Sequence, residues 1–335
     1  AAVAGNHATD PVSKCVAGAH SGVVGPASLT QCLLERVRRN DSAGPAAREA
    51  AAFIVGGQVV GRCLPRTIAE LRRFPAWFDV SAEAVTLLDR PEWTPLEGFA
   101  LCKARSAAVM EVLETLRAEG RVPMLQGWRG EPHAVRRTFH SEAQLVIERA
   151  AAPMFGAAAY GVFVNGYTCE GPGAGPTHIW IGTRSDTKPT WPGRFDSLAA
   201  GGLAHGMMPQ QNMVAECAQE AGIPAQIASA LRPVSAISYT AFNEDCWGLK
   251  RDCLFSFDLE LPADFVPVVI DGEMAQFQKI TIQELVQLLM VRNDDAWKPN
   301  VGVVLTDFLV RHGYADADDP AFLELVGALR GAECV

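Results

Sequence analysis

Between residues 160 and 261, four segments of strand length alternate apolar or β-branched residues with others: 160-YGVFVNGYT-168, 178-HIWIGTRS-185, 233-PVSAISYTAF-242 and 253-CLFSFDLEL-261. A period of two sends successive side chains to opposite faces of a sheet. Helix-patterned stretches at 209–222, 281–290 and 300–313 are interspersed with them. A chain patterned this way folds as a sheet covered by helices, because each apolar face must be buried against another layer. Solenoids are excluded, since no repeat of about 20 to 50 residues recurs.

The 335 residues suit two domains, as single domains usually run about 100 to 200 residues. Residues 1–25 read as a flexible N-terminal arm without periodicity. In 28-SLTQCLLERVRRN-40, Leu29, Cys32, Leu33 and Val37 share one helical face, with Ser28 as N-cap and Asn40 as stop. The stretch 52-AFIVGGQVVGRCL-64 reads as a hairpin turning at Gly56-Gly57. No phosphate-loop lysine lies nearby, so a nucleotide loop is disfavoured. Helix patterns at 66–74 and 104–120 alternate with proline-rich breaks, 81–88 fits helix or strand, and 141-SEAQLVIERAAAP-153 reads as a connecting helix. The division is therefore an arm over 1–25, an N-terminal α+β domain over 26–140 and a second domain over 141–335.

Composition narrows the function classes. With 49% hydrophobic and 20% charged residues, the chain has enough apolar side chains for a core and too few charges for disorder. Charged residues or proline break every apolar run before the roughly 18 to 20 residues that a membrane helix needs. The net charge is −9, and residues 151–335 carry 11 Lys/Arg against 22 Asp/Glu. Such a half repels phosphate backbones, which argues against general nucleic-acid binding, and its carboxylates suit divalent cations. Nine scattered cysteines without a CxxC pair point to free thiols in a reducing intracellular compartment, either the cytoplasm or an organelle matrix such as a mitochondrion or plastid.

The segment 201-GGLAHGMMPQQNMVAECAQEAGI-223 runs from a glycine-rich loop into a helix and out through Gly222. Glu216 and Glu220 stand at i and i+4, hence on one face. Two carboxylates so placed repel unless a cation lies between them, and their oxygens suit Mg²⁺ or Mn²⁺. A solvated helix face is the competing reading, and for a generic glutamate pair it is the commoner one.

The segment resembles the signature of Nudix hydrolases. Gly201, Glu216, Cys217, Glu220, Gly222 and Ile223 fall in register with it, while Met207, Ala215 and Gln219 stand where it has Glu, Arg and Glu. The pieces 161-GVFVNGY-167, 180–202, 258-DLELPADFVP-267, 271-DGEMAQF-277 and 307-DFLVRHG-313 are similar to the Nudix subgroup related to thiamine pyrophosphokinase. Residues 28–140 look like the domain of unknown function that precedes the Nudix domain in that subgroup. The resemblance implies a Nudix α/β/α sandwich with a mixed sheet over 141–335, and metal-dependent hydrolysis of a diphosphate linked to another moiety. Related eukaryotic proteins act on thiamine diphosphate and its oxidised analogues.

By that resemblance Glu216, Glu220 and Glu273 are the expected metal-holding residues, with Gln219 an oxygen donor that lacks its charge. Arg184, Lys188 and Arg194 are candidates for substrate phosphates, Trp191 for stacking on a heteroaromatic ring, and Gly201 and Gly202 for close backbone approach. Loop charges without a ligand fit the three cations equally well. Ala215 and Gln219 also support a second reading: a Nudix fold retained as a noncatalytic binding or scaffold subunit of a larger assembly.

Overall fold

The computed structural model describes residues 27–171, 173–203, 205–243, 245–291 and 296–332. The arm expected over 1–25 lies outside them. Helix α1 (Leu29–Asn40) begins as the sequence predicts, with Ser28 Oγ accepting from the Gln31 N–H at 3.1 Å. After α2 (Gly44–Glu49), β1 (Ala51–Val55) and β2 (Gln58–Cys63) form the expected hairpin, and Gly56 and Gly57 adopt φ 58° and 73° at its turn. Only glycine takes two consecutive positive φ values cheaply. Helix α3 (Pro65–Leu71), β3 (Phe78–Val80), β4 (Ala84–Leu87) and the long α4 (Gly98–Ala118) follow. The ambiguous 81–88 segment thus holds a strand. The sheet order is β2-β1-β4-β3, and Phe53, Val55, Val85, Val109, Val112 and Leu116 fill its core.

The connecting helix expected over 141–153 is not formed. Its residues divide into β6 (Leu145–Glu148), paired with β5 (Pro132–Val135), and a 3₁₀ segment over Arg149–Phe155. Leu145 and Ile147 both face the core, a period of two that the helical reading overlooked. The Glu148 carboxylate then accepts N–H bonds from Arg129, Gly130 and Ala150 at 2.9–3.3 Å, which fixes the turn. By packing, the first core extends to Ala157.

The second sheet contains β7 (Ala158–Cys169), β8 (Pro176–Arg184), β9 (Phe195–Asp196), β10 (Ala199–Gly202), β11 (Arg232–Phe242), β12 (Leu249–Glu260) and β13 (Met274–Thr281). Its main order is β11-β12-β7-β8-β13, with β10 on β7 and β9 on β8. β7 runs parallel to β12 and antiparallel to β8 and β10, so the sheet is mixed. Helix α5 (Pro209–Ala221) and the short α6 (Ala225–Ala228) lie on the sheet face carrying Val162, Val164 and Leu198. Helices α7 (Ile282–Met290), α8 (Pro299–Arg311) and α9 (Phe322–Ala328) cover the face carrying Phe163, Ile179, Ile181 and Ile237. Helices on both faces of a mixed sheet make the expected sandwich.

Helix α1 joins this second body rather than the domain in which its sequence position placed it. Leu33, Leu34 and Val37 share a core with α7, α8 and α9. Buried Arg36 donates to the Leu289 and Val291 carbonyls at 2.9 and 3.2 Å, at the end of α7, where a cation complements the helix dipole. Gly302 on α8 makes room for it, since a Cβ there would stand 2.8 Å from Arg36 Cδ.

Candidate active site

Helix α5 starts at Pro209 and ends at Gly222, whose φ of 62° gives the left-handed C-terminal stop. Its buried face, Met213, Cys217 and Ala221, packs on the sheet and so turns Glu216 and Glu220 toward β10. Glu220 is 4% exposed, and its Oε2 accepts the Ala200 N–H at 2.9 Å. Burial raises its pKa to about 8; the Ala200 bond opposes this, while the charges of Asp196, Glu216 and Glu273 add to it. Glu216 is likewise raised, by burial and then by Glu273, and Asn212 donates to its Oε1 at 3.4 Å. Its carboxylate lies on Gly201, where a Cβ would come within 1.9 Å of Oε1. Glycine at 201 is therefore a condition for Glu216 to reach this position.

Glu220, Asp271 and Glu273 place carboxylate oxygens within 4.8 Å of one another. Asp271 is the member the sequence reading missed; it stands two residues before Glu273 and caps the turn, accepting the Glu273 N–H at 2.9 Å. The signal is the DGE turn itself, which carries the two carboxylates two residues apart. Three convergent carboxylates offer the hard oxygen donors that Mg²⁺ and Mn²⁺ take, and Glu216 adds a fourth negative charge nearby, so this donor set fits such a cation. The Gln219 side chain is exposed and makes no hydrogen bond among the described residues.

The loop between β8 and β9 distributes the three candidate cations differently. Lys188 Nζ pairs with Glu273 Oε2 at 2.5 Å, which brings it to the acidic cluster. Arg184 is 5% exposed and turned away from solvent; it donates to Asp196 at 2.7 Å and to the Thr190 and Trp191 carbonyls at 2.7–3.2 Å. Its guanidinium braces the loop and holds Trp191 at φ 54°, an unusual conformation for a bulky residue. Arg194 lies over the Trp191 ring at 4.9 Å from the centroid. The structure thus brings Lys188 to the carboxylates, and couples Arg184, Trp191 and Arg194 to one another.

β10 is the wall shared with a cleft of about 370 Å³ between the two bodies. Ala200, Gly201 and Gly202 line it, together with Arg129, His133 and Arg149 from the first body and Lys250, Asp252 and Lys298 from the second. Sequence reading identified none of the basic residues, because they lie far apart in the chain. His133 is held near pKa 4 by burial and then by Arg149, so it is neutral at physiological pH.

Comparison with known proteins decides the family. Residues 32–159 match the family described as a domain of unknown function (DUF4743). The chain is 36% identical over 302 residues to Nudix hydrolase 20, chloroplastic, of Arabidopsis thaliana, covering 90% of this chain and 78% of the relative. It is 37% identical over 306 residues to Nudix hydrolase 24, chloroplastic, of the same plant, with the same coverage. The chain belongs to the Nudix hydrolase family. An uncharacterized protein of Saccharomyces cerevisiae is 30% identical over 233 residues, covering 66% of each chain. As a Nudix hydrolase the protein is an enzyme acting on pyrophosphate bonds. Among the described residues no helix is long and apolar enough to cross a membrane.

The raised Glu220 gives a prediction for the metal-free enzyme. Between about pH 4.5 and about pH 8 the folded state keeps a proton that the unfolded chain releases, so folding stability falls as pH rises through that window. The slope reaches at most about 1.4 kcal/mol per pH unit. Melting in EDTA should show this decline, and Glu220→Gln should flatten it; parallel curves for the two proteins would refute the assignment.

Proposed function

We propose that this Nudix hydrolase is divalent-metal-dependent and cleaves a diphosphate linked to another moiety, releasing a monophosphate. The observation that carries the reading is the convergence of Glu220, Asp271 and Glu273 within 4.8 Å, beside Glu216 and the glycine strand. Glu220, Glu273 and Asp271 are the residues to hold Mg²⁺ or Mn²⁺, with Glu216 adding charge. When bound, such a cation offsets charge on phosphoryl oxygens and lowers the pKa of water. The Ala200 N–H orients Glu220, Gly201 admits Glu216, and Lys188 holds Glu273 at the cluster. Gly202, expected to admit substrate, instead leaves the room beside β10 that the Arg149 guanidinium occupies.

Thiamine diphosphate and its oxidised analogues are the substrates we favour, on the resemblance to the subgroup related to thiamine pyrophosphokinase. Both Arabidopsis relatives are named chloroplastic, which supports an organelle matrix for this chain. Monophosphate release should be assayed across a panel of diphosphates that includes these compounds, with Mg²⁺ or Mn²⁺ in excess. Metal-dependent release is the expected result, and silence from folded protein across the panel would overturn the proposal. The metal should also raise the melting temperature more at pH 8 than at pH 6, because it displaces the proton on Glu220.

Asp271 bears on the departure at Gln219. A third carboxylate supplies the charge that glutamine lacks, so Gln219→Glu should change the rate constant less than about threefold. A gain of about a hundredfold would instead mark a site impaired by its glutamine, as the scaffold reading expects.

A further inference from the structure

Helix α5 presents a polar stripe to β10. Asn212, Glu216 and Glu220 stand at i, i+4 and i+8, hence on one side of the helix. Each meets its own residue of the strand: Glu220 accepts the Ala200 N–H, the Glu216 carboxylate rests on Gly201, and Asn212 Nδ2 donates to the Gly202 carbonyl at 3.4 Å. The same Nδ2 donates to Glu216 Oε1, also at 3.4 Å. An amide nitrogen carries two N–H groups, and a carbonyl or an ionised carboxylate can only accept, so these two partners fix which way the amide faces.

Asn212 is 4% exposed. A buried amide needs partners, and asparagine is a poorer helix former than alanine, so its place inside α5 carries a cost that packing through Met213, Cys217 and Ala221 does not require. The neighbouring carboxylates have donors of their own: Glu220 has the Ala200 N–H and Glu273 has Lys188. Among the described residues Asn212 is the one donor to the Glu216 side chain. Ala215, where the family signature has arginine, offers no side-chain donor. Glu216 also stands outside the convergent set of Glu220, Asp271 and Glu273, so its placement beside them is set by Asn212 and Gly201.

We propose that Asn212 is a positioning residue of the metal centre. By bridging Gly202 and Glu216 it holds the Glu216 carboxylate over Gly201, where that charge adds to those of Glu220, Asp271 and Glu273. The inference rests on the metal-dependent reading above. Without the amide, Glu216 keeps no hydrogen bond, and its flexible side chain no longer holds the charge beside the cluster.

The test is a double-mutant cycle on Mn²⁺ binding, which needs neither substrate nor turnover. The full metal-free chain is titrated with Mn²⁺, and the free ion is followed by electron paramagnetic resonance. Asn212→Leu, close to asparagine in size, should weaken Mn²⁺ binding by about tenfold, and Glu216→Gln by about tenfold to a hundredfold. The double variant should bind no more weakly than Glu216→Gln alone, because an amide that acts through Glu216 then has no charge left to place. Gly201→Ala should reproduce the Asn212→Leu loss, since a Cβ there would stand 1.9 Å from Glu216 Oε1.

Unchanged Mn²⁺ affinity in Asn212→Leu would overturn the proposal, as would losses that add in the double variant. Should Asn212→Leu fail to fold, Asn212→Ala decides by the same cycle, alanine being the best helix former. A wild type that binds no Mn²⁺ removes the metal reading and this inference with it. Mn²⁺ binding that ignores residue 212 leaves that reading standing and removes only the role of Asn212.

Discussion

Glu220→Gln should lower metal-dependent monophosphate release by about a hundredfold or more, with little cost in folding. The substitution is isosteric, and its amide oxygen can still accept the Ala200 N–H that the carboxylate accepts at 2.9 Å. What is removed is the charge of the most buried of the three converging carboxylates. That charge is costly without a cation, as the rise of its pKa to about 8 records, so the metal-free variant should melt no lower than wild type above neutral pH. Loss of kcat with an intact or raised melting temperature separates a metal-holding role from a structural one. Unchanged kcat at saturating Mg²⁺ would remove Glu220 from the machinery.

The second large effect lies on the opposite face of the sheet. Asp258 and Asp307 are 2% and 1% exposed. Arg311 donates to Asp258 at 2.6 and 2.9 Å and to Asp307 at 2.7 Å, while His312 and Asn165 complete the Asp258 shell at 3.1 and 3.0 Å. The network ties α8 to β7 and β12. Arg311→Met leaves two buried carboxylates short of their shared cation, and breaking a buried pair in this way costs about 3–5 kcal/mol. A shift of that size in the urea midpoint is expected. A loss under about 1 kcal/mol would mean that the network contributes little beyond an exposed pair.

The same network sets an acid limit. Burial would raise the Asp258 carboxyl, but hydrogen bonds from His312 and Arg311 outweigh it and hold it at about 2. A carboxylate depressed in the folded state stabilises fully above its ordinary value near 4, and that contribution disappears as pH falls from about 4 to about 2. Arg311→Met should flatten stability against pH in that window.

Much of this protein was legible in local pattern. The Gly-Gly hairpin, the capped first helix, the long strands of the second sheet and the register of Glu216 and Glu220 each depend on neighbours a few residues apart. Periodicity, caps and φ preferences act at that range, so residue order alone suffices to read them. The family signature is of the same kind, because it lies on one loop and one helix.

Where chemistry depends on residues remote in sequence, pattern reading stopped short. Residues 141–153 read as a helix by local pattern, and pairing with β5 makes Leu145–Glu148 a strand instead. Helix α1 has an amphipathic face that any apolar layer satisfies; only the carbonyls at the end of α7 and the gap at Gly302 assign it to the second body. Arg184, a candidate for substrate phosphates or else an exposed loop charge by sequence, is drawn inward by Asp196 and two loop carbonyls. Asp271 becomes the third carboxylate because β13 pairs with β8 and brings its turn to α5. The sequence by itself determined which elements form and which helix carries the acidic pair, since those are short-range preferences. The tertiary structure alone decided which distant charges meet, because carboxylates about fifty residues apart, such as Glu220 and Asp271, come together only once packing has brought them there.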